Sequence, residues 1–220
     1  VPTGNFGNIY AAHVARRMGL PIAQLVIGTN RNDILARFIR DGKMTIGAVE
    51  PSLSPSMDIQ VSSNFERLYF ELAGRDGGAV AQAFRDFRQS GTLPTDAALW
   101  QEAKTLFAAH RVDDAAISAT IAQTFRDTGE LLDEHSPSAV AAARAVKRDP
   151  AVPMVALACA HPAKFPEAVE RAAGVRPALP PRLADLMTQP ERIAVLPNDL
   201  ASVERFIRER ARTVQKERTP

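Results

Sequence analysis

The sequence predicts an α/β fold with a largely helical insertion, and three observations carry that reading. Residues 1–28 run from a glycine turn into a helical pattern and back to a short apolar run, which is half of a βαβ unit. A second apolar run, residues 152–159, lies near the end between two helix-like stretches. The intervening residues 64–130 follow helical spacing almost throughout.

In chain order, Gly4 and Gly7 flank a tight turn, and Tyr10, Ala11, Val14, Ala15 and Met18 recur at helical spacing. Gly19 and Pro21 supply the stop signal. Residues 23–28 have the composition of a buried parallel strand. From Asp41 to about Ser63 the pattern is irregular, with Pro51 and Pro55 among serines, as in a connection between layers. Phe65, Leu68, Tyr69 and Leu72 then form one helical stripe, and residues 80–87 hold another. Helices are predicted over 99–110 and 114–126, the latter with Asp113 and Asp114 at its positive N-terminal end. Residues 139–146 read as an alanine-rich helix, 152–159 as a buried strand, and 165–173 as a helix closed by Gly174. A proline-rich stretch at 177–181 precedes a last helix from about Asp199, with Val203, Phe206, Ile207 and Val214 on one face. The division this suggests is 1–50 as part of an α/β domain, 51–130 as a mainly helical region, and 131–220 as a return to α/β with a C-terminal helix.

Composition narrows the function classes. At 45% hydrophobic and 24% charged residues, the chain is of ordinary globular type and long enough for a core. A net charge of +2 is too small to argue for nucleic acid or an acidic membrane surface. No apolar run approaches the roughly 20 residues that span a bilayer. The single cysteine, Cys159, excludes an intramolecular disulfide framework and a multi-cysteine metal site, and no metal site is predicted. Val1-Pro2-Thr3 leads straight into a glycine turn, so the sequence is expected to begin inside a domain, as a fragment of a longer protein.

The chemistry concentrates in Thr3-Gly4-Asn5-Phe6-Gly7-Asn8. Two glycines let the backbone turn tightly and a ligand approach closely. The helix that follows presents unpaired N–H groups and the positive end of its dipole, which together make an anion site. Thr3 and Asn5 can add side-chain donors. By itself the pattern also fits a plain strand-to-helix turn. Beyond the run at 23–28, Asn30 stands where open α/β sheets bind ligands, while Asn32 equally suits a cap for a helix over 33–40. Ser54, Ser56, Asp58, Ser62, Ser63 and Asn64 offer polar groups that serve either a ligand or the loop backbone.

Residues 1–8 resemble the phosphate-binding loop of threonine synthases, members of the type II, tryptophan-synthase-β-like family of pyridoxal-phosphate (PLP) enzymes. The resemblance continues through Arg17-Met18-Gly19-Leu20-Pro21 and residues 27–35, is strongest over residues 54–68, and resumes at residues 132–136 and 160–167. It implies a partial three-layer open sheet of the type II PLP fold. It implies PLP as cofactor, its phosphate held by Gly4, Asn5, Phe6 and Gly7 with Thr3 and Asn8 at the rims; Asn8 departs from the family's usual aspartate. Cys159 matches the hydroxyl position that contacts the pyridine nitrogen, and a neutral thiol there is a weak donor; a buried structural cysteine is the plainer reading. Asn30, Ser56 and Asp58 are the substrate-side candidates. His135 replaces the family's Asp-Pro-His-Thr context with Asp133-Glu134-His135-Ser136, and both it and His161 are expected to be structural.

The family's Schiff-base lysine lies before the glycine loop, and none of Lys43, Lys104, Lys147, Lys164 or Lys216 has matching neighbours. No catalytic residue is therefore expected in this chain, which alone should be inactive and needs the missing N-terminal half of the same protein as partner. The implied reaction converts O-phosphohomoserine and water to threonine and phosphate, in the cytoplasm. The alternatives are a threonine-synthase-like PLP phospholyase and a non-catalytic phosphate-binding module.

Overall fold

The computed structural model describes residues 1–146 and 149–211. Lys147, Val214 and Lys216, named above, lie outside the described residues. The chain divides into two compact units, Val1–Ala178 and Leu179–Pro220. In the first, the glycine loop enters α1 (Gly7–Arg17), followed by β1 (Leu25–Thr29), α2 (Ile34–Asp41) and the short β2 (Met44–Thr45). An irregular connection with a 3-10 turn at Pro55–Met57 leads to α3 (Phe65–Leu72), α4 (Gly77–Ser90), β3 (Thr92–Leu93) and α5 (Ala97–Leu106). Then come β4 (Phe107–Arg111), α6 (Asp114–Thr128), α7 (Ser136–Ala145) and α8 (Pro166–Ala173).

The fold is α/β. β1 pairs with β4 in parallel, Leu25 opposite Phe107, and residues 1–3 extend this small sheet along the other edge of β1. There Gly28 N–H donates to Val1 O at 2.9 Å and Thr3 N–H to Gly28 O at 2.8 Å. Alternation along the strands sorts the two faces. Leu25, Ile27 and Phe107 join the main core with Phe6, Ile9, Ile34, Phe38 and Phe65. Gly28 points the other way, where a Cβ would stand 2.5 Å from the Ser138 carbonyl oxygen of α7. Helices thus cover both faces, which gives three layers. A smaller cluster of Val112, Ile117 and Ile121 lies under α7 and α8.

Two elements differ from the sequence reading. The helix expected through His110 ends at Leu106, and residues 107–111 form β4 instead. Phe107 and Ala109 alternate into the core, a period-2 pattern too short to outweigh helix-type composition until the distant β1 supplies a partner. The strand expected at 152–159 is not formed: these residues pair with no strand among the described residues, and Val155 is 71% exposed. Strand composition makes a strand only where a neighbouring backbone completes the ladder. Asn32 does not cap α2, whose N-cap is Asp33 without a side-chain cap bond. Asp113 does cap α6, accepting from Ala116 N–H at 2.8 Å, and Gly174 ends α8 in a left-handed conformation as expected.

The unit from Leu179 holds two 3-10 turns, Pro181–Leu183 and Leu186–Thr188, and α9 (Leu200–Arg210). Asp199 caps α9 by accepting from Ser202 N–H at 2.9 Å. No helix among the described residues is long and apolar enough to cross a membrane.

Candidate functional site

The glycine loop leaves the sheet beside Gly28 and turns into α1 at Phe6, whose φ of 66° is left-handed. The left-handed residue is therefore not a glycine. A left-handed non-glycine residue costs about 1–3 kcal/mol. Burial of an aromatic side chain stabilises by about the same amount. Here the Phe6 ring is 1% exposed and packs edge-on to Phe65 at 5.2 Å and against Phe107 at 5.7 Å. The core thus holds the turn in a conformation the backbone would otherwise avoid.

The turn behind the loop takes its acceptors. Ser62 Oγ donates to Gly4 O at 2.8 Å, Asn64 N–H to Asn5 O at 3.1 Å, and Ser63 N–H and Oγ to Asn5 Oδ1 at 3.4 and 3.3 Å. The donors are left over: no backbone N–H from Gly4 to Asn8 has an acceptor among the described residues. A left-handed residue followed by a helical one makes successive N–H groups converge, the arrangement that binds anions. The two glycines have different reasons to be there. A Cβ on Gly4 would meet Met57 Cα at 3.0 Å, whereas one on Gly7 would meet only Asn64 Nδ2, at an ordinary 3.5 Å.

These amides open on a recess of about 290 Å³, which Ser56, Met57, His135, Cys159, Ala160 and Lys164 complete with Pro2. Asn8 Nδ2 donates to Cys159 Sγ at 3.9 Å. Desolvation and the nearby Asp133 charge hold the Cys159 thiol above its usual pKa, so it stays neutral. Lys164 brings an ammonium to the rim, over the Phe165 ring at 5.1 Å.

Behind the recess lies a buried group at the start of α7. Asp133 Oδ2 accepts from His135 N–H at 3.0 Å and from His135 Nδ1 at 3.1 Å. Asp133 Oδ1 accepts from Ser136 N–H at 3.2 Å and from the Ser136 hydroxyl. His135 Nε2 accepts the Ser56 N–H at 3.2 Å, which places the ring proton on Nδ1. Burial alone would depress the His135 pKa, and the Asp133 and Glu134 carboxylates raise it above its usual value. The Ser56 amide opposes a second ring proton because it needs the lone pair on Nε2. Burial alone would raise Asp133; its hydrogen bonds to His135 and Ser136 bring it below the usual carboxylate range. Asp133, Glu134 and His135 place three ligand-type atoms within 4.8 Å of one another. The Asp133 oxygens are already taken by four donors, whereas neither Glu134 oxygen has a hydrogen-bond partner among the described residues and Oε1 lies 3.1 Å from His135 Nδ1.

The chain resembles known proteins along most of its length. Residues 137–207 match the family model described as threonine synthase, C-terminal. The threonine synthase of Pseudomonas aeruginosa is 54% identical over 208 residues, covering 94% of this chain and 44% of that protein. Over most of its length the chain is thus similar to threonine synthases. Among solved structures, the PLP-bound threonine synthase of Brucella melitensis superposes with a TM-score of 0.85 at 48% identity, over 96% of this chain and 45% of that one. The yeast threonine synthase does so with a TM-score of 0.82 at 34% identity, over 94% and 46%. The chain therefore spans a little under half the length of these threonine synthases.

Of the residues singled out from the sequence, the structure brings Gly4, Asn5, Phe6, Gly7, Asn8, Ser56 and Cys159 to one recess. It does not bring Thr3, Asn30 or Asp58 there. Thr3 is 3% exposed, and its hydroxyl donates to Val1 O at 2.8 Å. Asn30 is fully buried and donates to Ser52 Oγ, Ser54 Oγ and Asp58 Oδ1 at 2.8, 3.0 and 2.7 Å. Asp58 also accepts from Asn32 Nδ2 at 3.0 Å and Ser52 N–H at 2.9 Å, so both residues knit the connection. His161 caps the turn Pro162–Lys164, accepting from Ala163 N–H at 3.2 Å. Sequence reasoning missed Asp133 and Ser136, although an acid two residues before a histidine at a helix start was a visible signal.

Proposed function

We propose that this chain supplies the cofactor-phosphate cradle and one side of the active site of a PLP-dependent threonine synthase, which converts O-phosphohomoserine and water to L-threonine and phosphate. One observation carries the reading: the backbone N–H groups of residues 4–8 have no protein acceptor among the described residues and line one recess, in a chain similar to threonine synthases. Such a cradle fits a phosphate dianion, and the residues present fit PLP.

When bound, PLP supplies an electron sink that stabilises negative charge on substrate carbons during carbon–oxygen lysis. The N–H groups of Gly4 to Asn8, with the dipole of α1, hold the cofactor phosphate. With PLP bound, Cys159 would face the ring nitrogen, to which its neutral thiol could donate only weakly. Ser56 lies on the substrate side, and Lys164 adds positive charge for an anionic substrate at the rim. The Schiff-base lysine belongs to the part of the protein that the relatives have beyond this chain, which is its partner in the cytoplasm. Residues 1–50 and 131–178, with β4 (Phe107–Arg111), contribute to the PLP-binding domain, and most of residues 51–106 forms the family's mainly helical region.

The test is the full-length protein given PLP and O-phosphohomoserine. A visible absorbance band with equimolar release of threonine and phosphate is expected. Release of ammonia and a 2-oxo acid would instead identify a phospholyase, and failure to bind PLP would leave only a phosphate-binding module.

A further inference from the structure

We infer that Asp133 is a positioning residue that sets both walls of the recess by fixing the direction of two hydrogen-bond relays. The inference rests on the recess being the PLP site. Asp133 is 1% exposed and touches neither wall directly. One relay runs from Oδ2 to His135: Nδ1–H faces Asp133 Oδ2 at 3.1 Å, with Glu134 Oε1 also at 3.1 Å, so Nε2 keeps a lone pair and accepts the Ser56 N–H at 3.2 Å. Ser56 and Met57 abut Gly4 so closely that a Cβ there would lie 3.2 Å from Ser56 O and 3.0 Å from Met57 Cα. This relay therefore ends on the backbone that backs the amide cradle.

The second relay runs from Oδ1 to Ser136. Its hydroxyl proton points at the carboxylate, which frees an Oγ lone pair for the Cys159 N–H at 2.9 Å. That bond places Cys159, on the side assigned to the cofactor ring. A carboxylate has only acceptors, so it can orient both relays the same way. Asparagine has the same shape but one donor end. Whichever way it sits, it either sets a donor against His135 Nδ1, leaving Glu134 Oε1 as the one carboxylate oxygen beside that nitrogen, or leaves the Ser136 hydroxyl proton without its acceptor. A side chain that merely capped α7 would have no reason to control both walls.

The experiment uses the full-length protein freed of PLP and titrated with it. Bound-cofactor absorbance reports the ring, and the phosphorus-31 resonance of the bound phosphate reports the cradle. Ser136→Ala is expected to move the absorbance and leave the phosphorus resonance in place, and His135→Phe to do the reverse. Asp133→Asn should move both and weaken PLP binding about tenfold. A folded Asp133→Asn with both signals unmoved and PLP affinity within about twofold of wild type overturns the inference. Should that variant not fold, the other two decide, since identical responses from Ser136→Ala and His135→Phe also overturn it. A wild-type protein that binds no PLP sinks the proposed function instead, and is distinguished by that control.

Discussion

Two polar regions of the unit Val1–Ala178 stand out in the sequence, and they behave in opposite ways. Around Asn30, Asn32, Ser52, Ser54 and Asp58, side chains and backbone satisfy one another: Asn30 makes bonds at 2.7–3.3 Å to three residues and accepts the Asn32 N–H at 2.9 Å. In the glycine loop only the acceptors are matched, and five successive donors face a recess. Polar composition alone does not distinguish the two. A buried polar group with all its partners stabilises the fold, while one held without partners at an accessible surface is available to a ligand.

The largest effect that would break this contrast is on stability. Asn30→Ala removes the hub of the saturated region and should cost about 3 kcal/mol, with PLP affinity of the folded full-length protein unchanged. Denaturant titration alongside cofactor titration checks it, and a selective loss of PLP binding would place Asn30 in the site after all. Gly28→Ala comes next. Its Cβ would approach the Ser138 carbonyl to 2.5 Å, and the resulting shift of α7 should cost about 2 kcal/mol in the same assay.

A third region sharpens the comparison. His13 in α1 is 8% exposed and neither ring nitrogen has a partner among the described residues, yet it lines no recess described above. It packs between Tyr10 and Phe107, with ring centroids at 5.7 and 6.1 Å. Burial, then the charge of Arg17, depress its pKa, so the folded state holds the neutral ring. The unfolded chain binds the extra proton more readily. The neutral ring's contribution is therefore complete above the unfolded value of about 6.5 and is lost as pH falls below it. His13→Phe should flatten the fall in stability between pH 7.5 and 5.5 by up to about 1.4 kcal/mol per unit of pKa difference, read by denaturation at each pH. An unchanged slope would mean that the ring is not held neutral.

How far the sequence could anticipate these differences depends on how local each signal is. The loop, α1 and β1 follow from neighbouring residues: glycines, a helical stripe, a stop at Gly19 and Pro21. β4 is not local, because what makes residues 107–111 a strand is the parallel neighbour at residues 25–29. The unpaired run at 152–159 is the converse, the right residues without a partner backbone among those described. The left-handed turn at Phe6 was read as a glycine property, since spacing shows which residues can turn but not which one a core will hold there. The saturation of Asn30 and Asp58 by the connection was hidden for a similar reason. A strand's carboxyl end predicts proximity to a site, but whether an amide is free depends on partners at residues 52–58, more than twenty positions away.

The smallest expected stability effect gives the sharpest test. Gly7 has an ordinary helical conformation, and nothing in the protein forbids a methyl group there, since its nearest contact would be Asn64 Nδ2 at 3.5 Å. Gly7→Ala should leave unfolding free energy unchanged or raise it by up to about 1 kcal/mol, because alanine loses less entropy in a helix. The same methyl group stands at an amide of the cradle, where a phosphate would approach the backbone. PLP affinity of the full-length protein should therefore fall about tenfold, with the phosphorus-31 resonance of any bound cofactor displaced. Gly4→Ala makes the control: its Cβ would lie 3.0 Å from the Met57 Cα, a backbone atom that would have to give, so it should lower stability as well. If Gly7→Ala binds PLP as wild type does, the amides of residues 4–8 do not hold the cofactor phosphate, and a glycine that the protein's own packing does not require is left without a reason.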